Sequence, residues 1–304
     1  MTPKMVAGFR RSLSFPNHPN SSSKPKKTFH VRSTSLPCRS HPLISQLRDD
    51  LNALMAAFSS SPENRTSAWL CDSLARLKTI HESLDDLLQL PQTRESLHGH
   101  AGLVENLLED FLRFVDVYGI FQTMILRLKE EHQAAQVAVR RKDAAAKLAS
   151  YSKAIKNLGK EMEKKLIPSL QSTAGKYLVL PKQVVAVPDG DAEVVGVMKD
   201  AVKVTVLVST ALFNGLSVSF TKSSSRRWMV GPAKKANMEE GIEEFKEMAA
   251  LWGVRRKGEE EDVKMVAKKM HEMEDCIGGI ESGGEKVFRS LMNAKVSLLN
   301  VFTQ

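Results

Sequence analysis

No carboxylate occurs before Asp49. Residues 1–48 carry nine Lys and Arg side chains, and removing those nine from the chain's 44 leaves 35 basic against 35 acidic residues. The formal charge of +9 is therefore the property of a leader, and the remainder is neutral. A folded nucleic-acid-binding domain carries a basic face of its own, so specific nucleic-acid binding is not expected. A cationic leader offers only unspecific attraction, to an anionic membrane surface, an RNA or an acidic partner. Cysteine is scarce too: Cys38, Cys71 and Cys276 are far apart, which is no disulfide framework and suits a reducing compartment. Aromatics make up 6% of the chain, so a core must be built mostly from Leu, Val, Ala and Met, a composition that suits helices. No apolar signal core opens the chain, and no secretory signal is expected. Residues 1–28 are rich in Ser, Pro, Asn and Lys and read as a disordered tail, with a transit peptide left open by the acid-free composition.

Recognisable chemistry is also missing. Cys38 and His41 have Cys-x-x-His spacing with His30 nearby, but a structural zinc needs four ligands, and no second pair exists. His98 and His100 stand together without a cysteine. The stretch "GGIESGGEK" lacks the phosphate-loop register, because Gly278 and Gly283 are followed by Gly284 where lysine is required. His81 falls on an apolar stripe between Leu77 and Leu84, the ordinary place of a hydrogen-bonded core histidine. No catalytic, cofactor or metal set is expected, and the chain reads as non-enzymatic.

What is present, from Pro42 onward, is helical spacing. Leu43, Leu47, Leu51, Leu54 and Phe58 form one stripe over about 42–58, and Leu70, Leu74, Leu77, Leu84 and Leu88 a second over about 66–89, ended by Pro91. A third run, from Leu103 through Leu107, Phe111, Phe114, Tyr118, Phe121 and Ile125 to Leu128, predicts a helix that continues to about 148 through an Ala-rich segment of high propensity. Further helices are expected at about 150–170 and 191–220, with a partly extended connection over 173–192. One more is expected at 237–252, capped by Asn237 with Glu240 three residues on. The last apolar series, from Val263 to Val301, steps by three and four straight through Gly283 and Gly284. It predicts one helix over 259–302, roughly 65 Å long, its glycines admitting a close neighbour; a helix–Gly–Gly–helix hairpin is the rival. Residues 204–221 hold eighteen uncharged side chains, seven of them Thr, Ser or Asn. That is the threshold length of a membrane span, but the hydroxyls favour a helix at the centre of a bundle.

The stretches "FHVRSTSLPCRSHPLISQL", "LLQLPQTRESL", "LLEDFLRFVDVYG", "VRRKD" and "KVSLLNVF", in this order, resemble the plant-specific Bypass-like family, a domain of unknown function, over about 29–302. The resemblance implies an all-helical unit and an association with root and shoot development; it supplies no catalytic residues. The expected fold is all-α: an elongated helical bundle with long antiparallel helices over 42–304, behind a basic tail over 1–41. Arg32, Leu36, Arg39 and His41 are expected to form either a docking segment or a basic strap packed on the bundle, with Ser40 or His41 at the cap position and Pro42 at the first position of the first helix. Ser33, Thr34 and Ser35 follow Arg32, in a context that a basic-directed kinase could use. The expected function is a helical interaction and regulatory protein with protein partners, coiled-coil-like stripes open to self-association, and a cytoplasmic location. The alternative is a peripheral or singly anchored membrane protein using the tail and 204–221, with plastid or membrane-associated locations.

Overall fold

Greasy residues at three- and four-residue steps make rods that must bury one face each, and among the described residues eight rods result: α1 (Pro42–Ser59), α2 (Ser67–Gln89), α3 (Pro91–His98), α4 (Ala101–Arg140), α5 (Ala144–Leu178), α6 (Asp189–Thr221), α7 (Glu243–Val254) and α8 (Glu260–Thr303). The computed structural model describes residues 41–59, 65–141, 144–178, 189–221, 241–254 and 260–303. All of the regular structure among them is helical, and the unit from Cys38 to Gln304 is the one they build.

Local chemistry sets the starts. At α1 the Leu43 N–H donates to Nδ1 of His41, and the Ile44 N–H to the His41 carbonyl, with Pro42 occupying the first turn where a missing N–H costs nothing. Thr66 caps α2 by accepting from the Trp69 N–H. A second cap comes from far away: Glu244 of α7 accepts from the Ser67 N–H at 2.9 Å and from the Ser67 hydroxyl at 2.8 Å, placing a carboxylate at the positive end of α2. The start of α7 is tied in turn, since the Ile242 N–H donates to Ser219 Oγ and the Glu243 N–H to the Arg65 carbonyl.

Contact order gives direction. On α2 and α8, Ser67 meets Cys276, His81 meets Ser290 and Asp85 meets Ser297, so the two run parallel. On α4 and α8, Gly119 meets Phe288, Lys129 meets Glu281 and Gln136 meets Glu274, which is antiparallel. Helix α5 runs antiparallel to α4 through Arg113–Thr173 and Arg127–Glu161. Inside this ring, α6 lies along α4, with Ser209 against Tyr118 and Phe213 against Phe121.

Helix α8 is a single rod of 44 residues, with no hairpin. Its glycines are notches. A Cβ on Gly283 would meet Leu74 Cδ1 of α2 at 3.0 Å, and one on Gly284 would meet Phe121 Cε1 of α4 at 2.9 Å. Gly159 does the same for α5 and α6, where a Cβ would lie 2.9 Å from Phe220 Cβ and 3.1 Å from the Ser217 carbonyl oxygen.

Four expectations need correction. The run from residue 103 ends at Arg140, and the Ala-rich segment begins α5 at Ala144, because the chain must turn there to lay α5 back on α4. Propensity is continuous across that segment and cannot mark the turn. Pro91 does not only stop α2; it opens α3 as the first helical residue. Residues 173–178 belong to α5 and not to the connection. Helix α7 starts at Glu243, where tertiary acceptors take its first N–H groups; Asn237 and Glu240 lie outside the described residues.

Candidate functional site

Polar side chains in a helical core are where chemistry would have to reside, and α6 supplies most of them. Thr205, Ser209, Ser217 and Ser219 are buried, and each hydroxyl has a partner on another element. Thr205 meets His81 Nε2 at 2.9 Å; Ser209 meets the Tyr118 hydroxyl at 3.0 Å. Ser217 donates to the Gly159 carbonyl at 2.9 Å, and Ser219 accepts from the Ile242 N–H at 2.8 Å. These partners account for four of the six hydroxyls in a segment long and apolar enough to cross a membrane, 72% of whose apolar window is buried in the bundle. In this structure 204–221 is a core helix.

His81 is the centre of the layer. Its Nδ1 lies 3.2 Å from Ser290 Oγ of α8, its ring stands edge-on to Phe111 of α4, and none of it reaches solvent. Each hydroxyl also has its own helix carbonyl within reach, Ala201 O at 2.7 Å for Thr205 and Val287 O at 2.9 Å for Ser290. A neutral imidazole brings one donor and one acceptor, so one hydroxyl gives its proton to its backbone and accepts from the ring, while the other donates to the ring. Either tautomer closes the network. Burial pushes the imidazole down to about 3. A serine, a histidine and a threonine meet here as they would in a nucleophile–base pair, but they are sealed and act as a joint between α2, α6 and α8.

A second joint ties α4, α5 and α8. The Met270 carbonyl can only accept, so Nε2 of His132 carries the proton and donates at 2.8 Å, leaving Nδ1 to accept from the Tyr151 hydroxyl at 2.9 Å. Burial lowers this histidine, opposed by the Met270 carbonyl and the nearby Glu274, and burial raises Tyr151. Gln136 completes the joint by donating to Met270 O and to Glu274.

The two described thiols sit at the α2–α8 contact. Cys276 Sγ lies 3.2 Å from Ser67 Oγ, whose one proton goes to Glu244, so the thiol S–H donates to the serine, and Cys71 Sγ packs against Gly279. Burial raises both, which keeps them protonated and poorly nucleophilic. Among the described residues no group of three or more His, Cys, Asp or Glu side chains could hold a metal ion. A cleft of about 570 Å³ lies at the α4–α5 corner, and Glu130, Arg141 and Lys147 that line it are exposed to solvent.

Of the docking segment, His41 caps α1 as expected from its position. Arg32, Leu36 and Arg39, the phosphorylation candidates Ser33, Thr34 and Ser35, and Cys38 and His30, weighed with His41 for zinc, all lie outside the described residues, His41 excepted.

One surface feature was missed. Met292, Val296, Leu299 and Phe302 on α8 are 38–51% exposed, and Leu112 on α4 is 43% exposed. The signal was in the spacing, as a second apolar row one residue behind the core row of Leu291, Leu298 and Val301. The row continues the α4-facing positions Glu281 and Phe288 by steps of four and three, so it borders the α4–α8 seam. The antiparallel register of that pair brings Leu112 level with Lys295 and the half-buried Leu108 level with Leu299.

A family model described as Protein BPS1 matches residues 73–301, three quarters of the chain and the same family that the quoted motifs resemble. No curated protein and no solved structure matches.

Proposed function

The chain belongs to the BPS1 family, and on that footing we propose that it is a non-enzymatic helical interaction and regulatory protein of the cytoplasm, acting in plant root and shoot development. The observation that carries this reading is the apolar row along the α4–α8 seam. Exposed apolar side chains scattered singly are ordinary, whereas a contiguous row marks a surface meant to be covered. The described polar groups of the core point the same way, since His81, His132 and their hydroxyl partners are engaged in joining helices. The test is Val296→Glu with Leu299→Glu in the full chain. Far-ultraviolet circular dichroism is expected to stay unchanged while partner capture from plant tissue and rescue of development fall at least tenfold. Undiminished rescue overturns the reading.

The leader supports a second role. Eight cations in residues 1–41, with no acid among them, give attraction to anionic lipid of about 1 kcal/mol per residue near a surface. Vesicles containing phosphatidylserine are expected to bind the chain at low salt, to release it at high salt, and to lose it when residues 1–41 are removed. Binding that survives the truncation sinks this role. The three hydroxyls at 33–35 would then be release points, because phosphates there reverse part of the charge.

A further inference from the structure

We infer that the α4–α8 seam is covered by a second copy of the same chain, in a two-fold dimer that lays α4 of one protomer against α8 of its partner. The inference rests on the seam being an interaction surface, and it names the occupant.

Charge decides the occupant. Between 103 and 120, α4 carries Glu105, Glu109, Asp110 and Asp116 against Arg113 alone, and of these Glu105, Glu109 and Asp116 are exposed. From 286 to 303, α8 carries Lys286, Arg289 and Lys295 and no acid. The apolar row thus has a net acidic surface on its α4 side and a net basic surface on α8, Asp110 lying buried beside Arg113 and Arg289 being paired with Glu285. Such a strip is complementary to itself. A two-fold axis along the seam exchanges the walls, setting acid over base twice, as an isologous interface requires. A two-fold axis across the seam would instead set α4 on α4 and α8 on α8, like charge on like. Both arrangements make every neighbouring pair antiparallel, since α4 and α8 already are, so charge is what separates them.

Area agrees. Leu112, Met292, Val296, Leu299 and Phe302 together leave on the order of 400 Å² of apolar surface open, about half of the ~800 Å² that each partner buries in a standard interface, with the charged walls supplying a polar rim.

The experiment is sedimentation equilibrium of the full chain between 1 and about 100 μM, a range that spans weak and moderate self-affinity. Wild type is expected at twice the 33.7 kDa of one chain, with dissociation promoted by salt. Val296→Glu with Leu299→Glu should weaken association at least tenfold while circular dichroism is unchanged. Charge reversal is the second arm and leaves the apolar row intact. Arg289→Glu with Lys295→Glu, and separately Glu105→Lys with Asp116→Lys, should each give monomers, and mixing the two variants should restore a dimer containing one of each. A wild type that is monomeric throughout overturns the inference, as does a dimer indifferent to all of these changes. If wild type is monomeric but the Val296→Glu and Leu299→Glu chain loses its plant partners, another protein occupies the seam and the proposed function stands. If neither association nor partners change, both fall.

Discussion

Gly284→Val will destabilise the bundle by about 3 kcal/mol or more, lowering the melting temperature by roughly 6–12 °C in a chain of this size. A single added Cβ already falls 2.9 Å from Phe121 Cε1, and Phe121 cannot retreat, being buried against Tyr118 and Phe213. Two further methyl groups must then displace a ring from a close-packed core. The same helix supplies the control. A Cβ on Gly278 meets nothing within 4 Å, so Gly278→Ala should stabilise by about 0.5–1 kcal/mol, the helix propensity difference between the two residues. Thermal melts of the two variants must move in opposite directions. Equal shifts would mean that glycine serves flexibility in α8, and that the notch account is wrong.

The second large effect is acid lability centred on His81. Its imidazole titrates near 3 in the folded chain and near 6.5 when unfolded. Between those values the unfolded state binds the extra proton, so stability rises with pH there. The contribution is complete above about 6.5 and is lost as pH falls towards 3, at about 1.4 kcal/mol per unit for one such group. His132, lowered by burial, adds a loss of the same sign. Urea unfolding between pH 4 and 8 should show this slope, and His81→Leu should flatten it. At pH 7 His81→Leu is expected to be the milder change, because Thr205 and Ser290 keep their own carbonyls as acceptors. Thr205→Val with Ser290→Ala leaves the ring nitrogens orphaned in the core and should cost about 2–4 kcal/mol. The opposite order of severity would show that the hydroxyls and not the imidazole need the joint.

Much of this architecture was legible from spacing. Helices α1, α2, α6 and α8 fall within two residues of their expected limits because each has an apolar row of uninterrupted phase. In α8 that phase survives Gly283 and Gly284, and a turn would have had no reason to preserve it. The break at Arg140 was hidden because alanine propensity runs on beyond it and only the fold requires a reversal there. Helix α3 was hidden because proline reads equally as an end and as a beginning. His81 was readable as a hydrogen-bonded core residue, but its partners were not, since Thr205 and Ser290 lie 124 and 209 positions away. The seam was passed over for another reason. A helix whose inward row is complete offers no local sign that a second row beside it will be left open.

The two notches of α8 differ in what they permit. Advancing the rod by one turn, about 5.4 Å, would replace Gly283 with Gly279 against Leu74, a substitution that α2 could accept. The same advance would drive Ile280 into Phe121, and the reverse would drive Phe288 there. Helix α4 therefore acts as a pawl and α8 as a bolt held in one position. A stimulus reaching either end of this rod cannot travel as a screw-like slip; it must pry neighbouring helices apart or leave the assembly as it was.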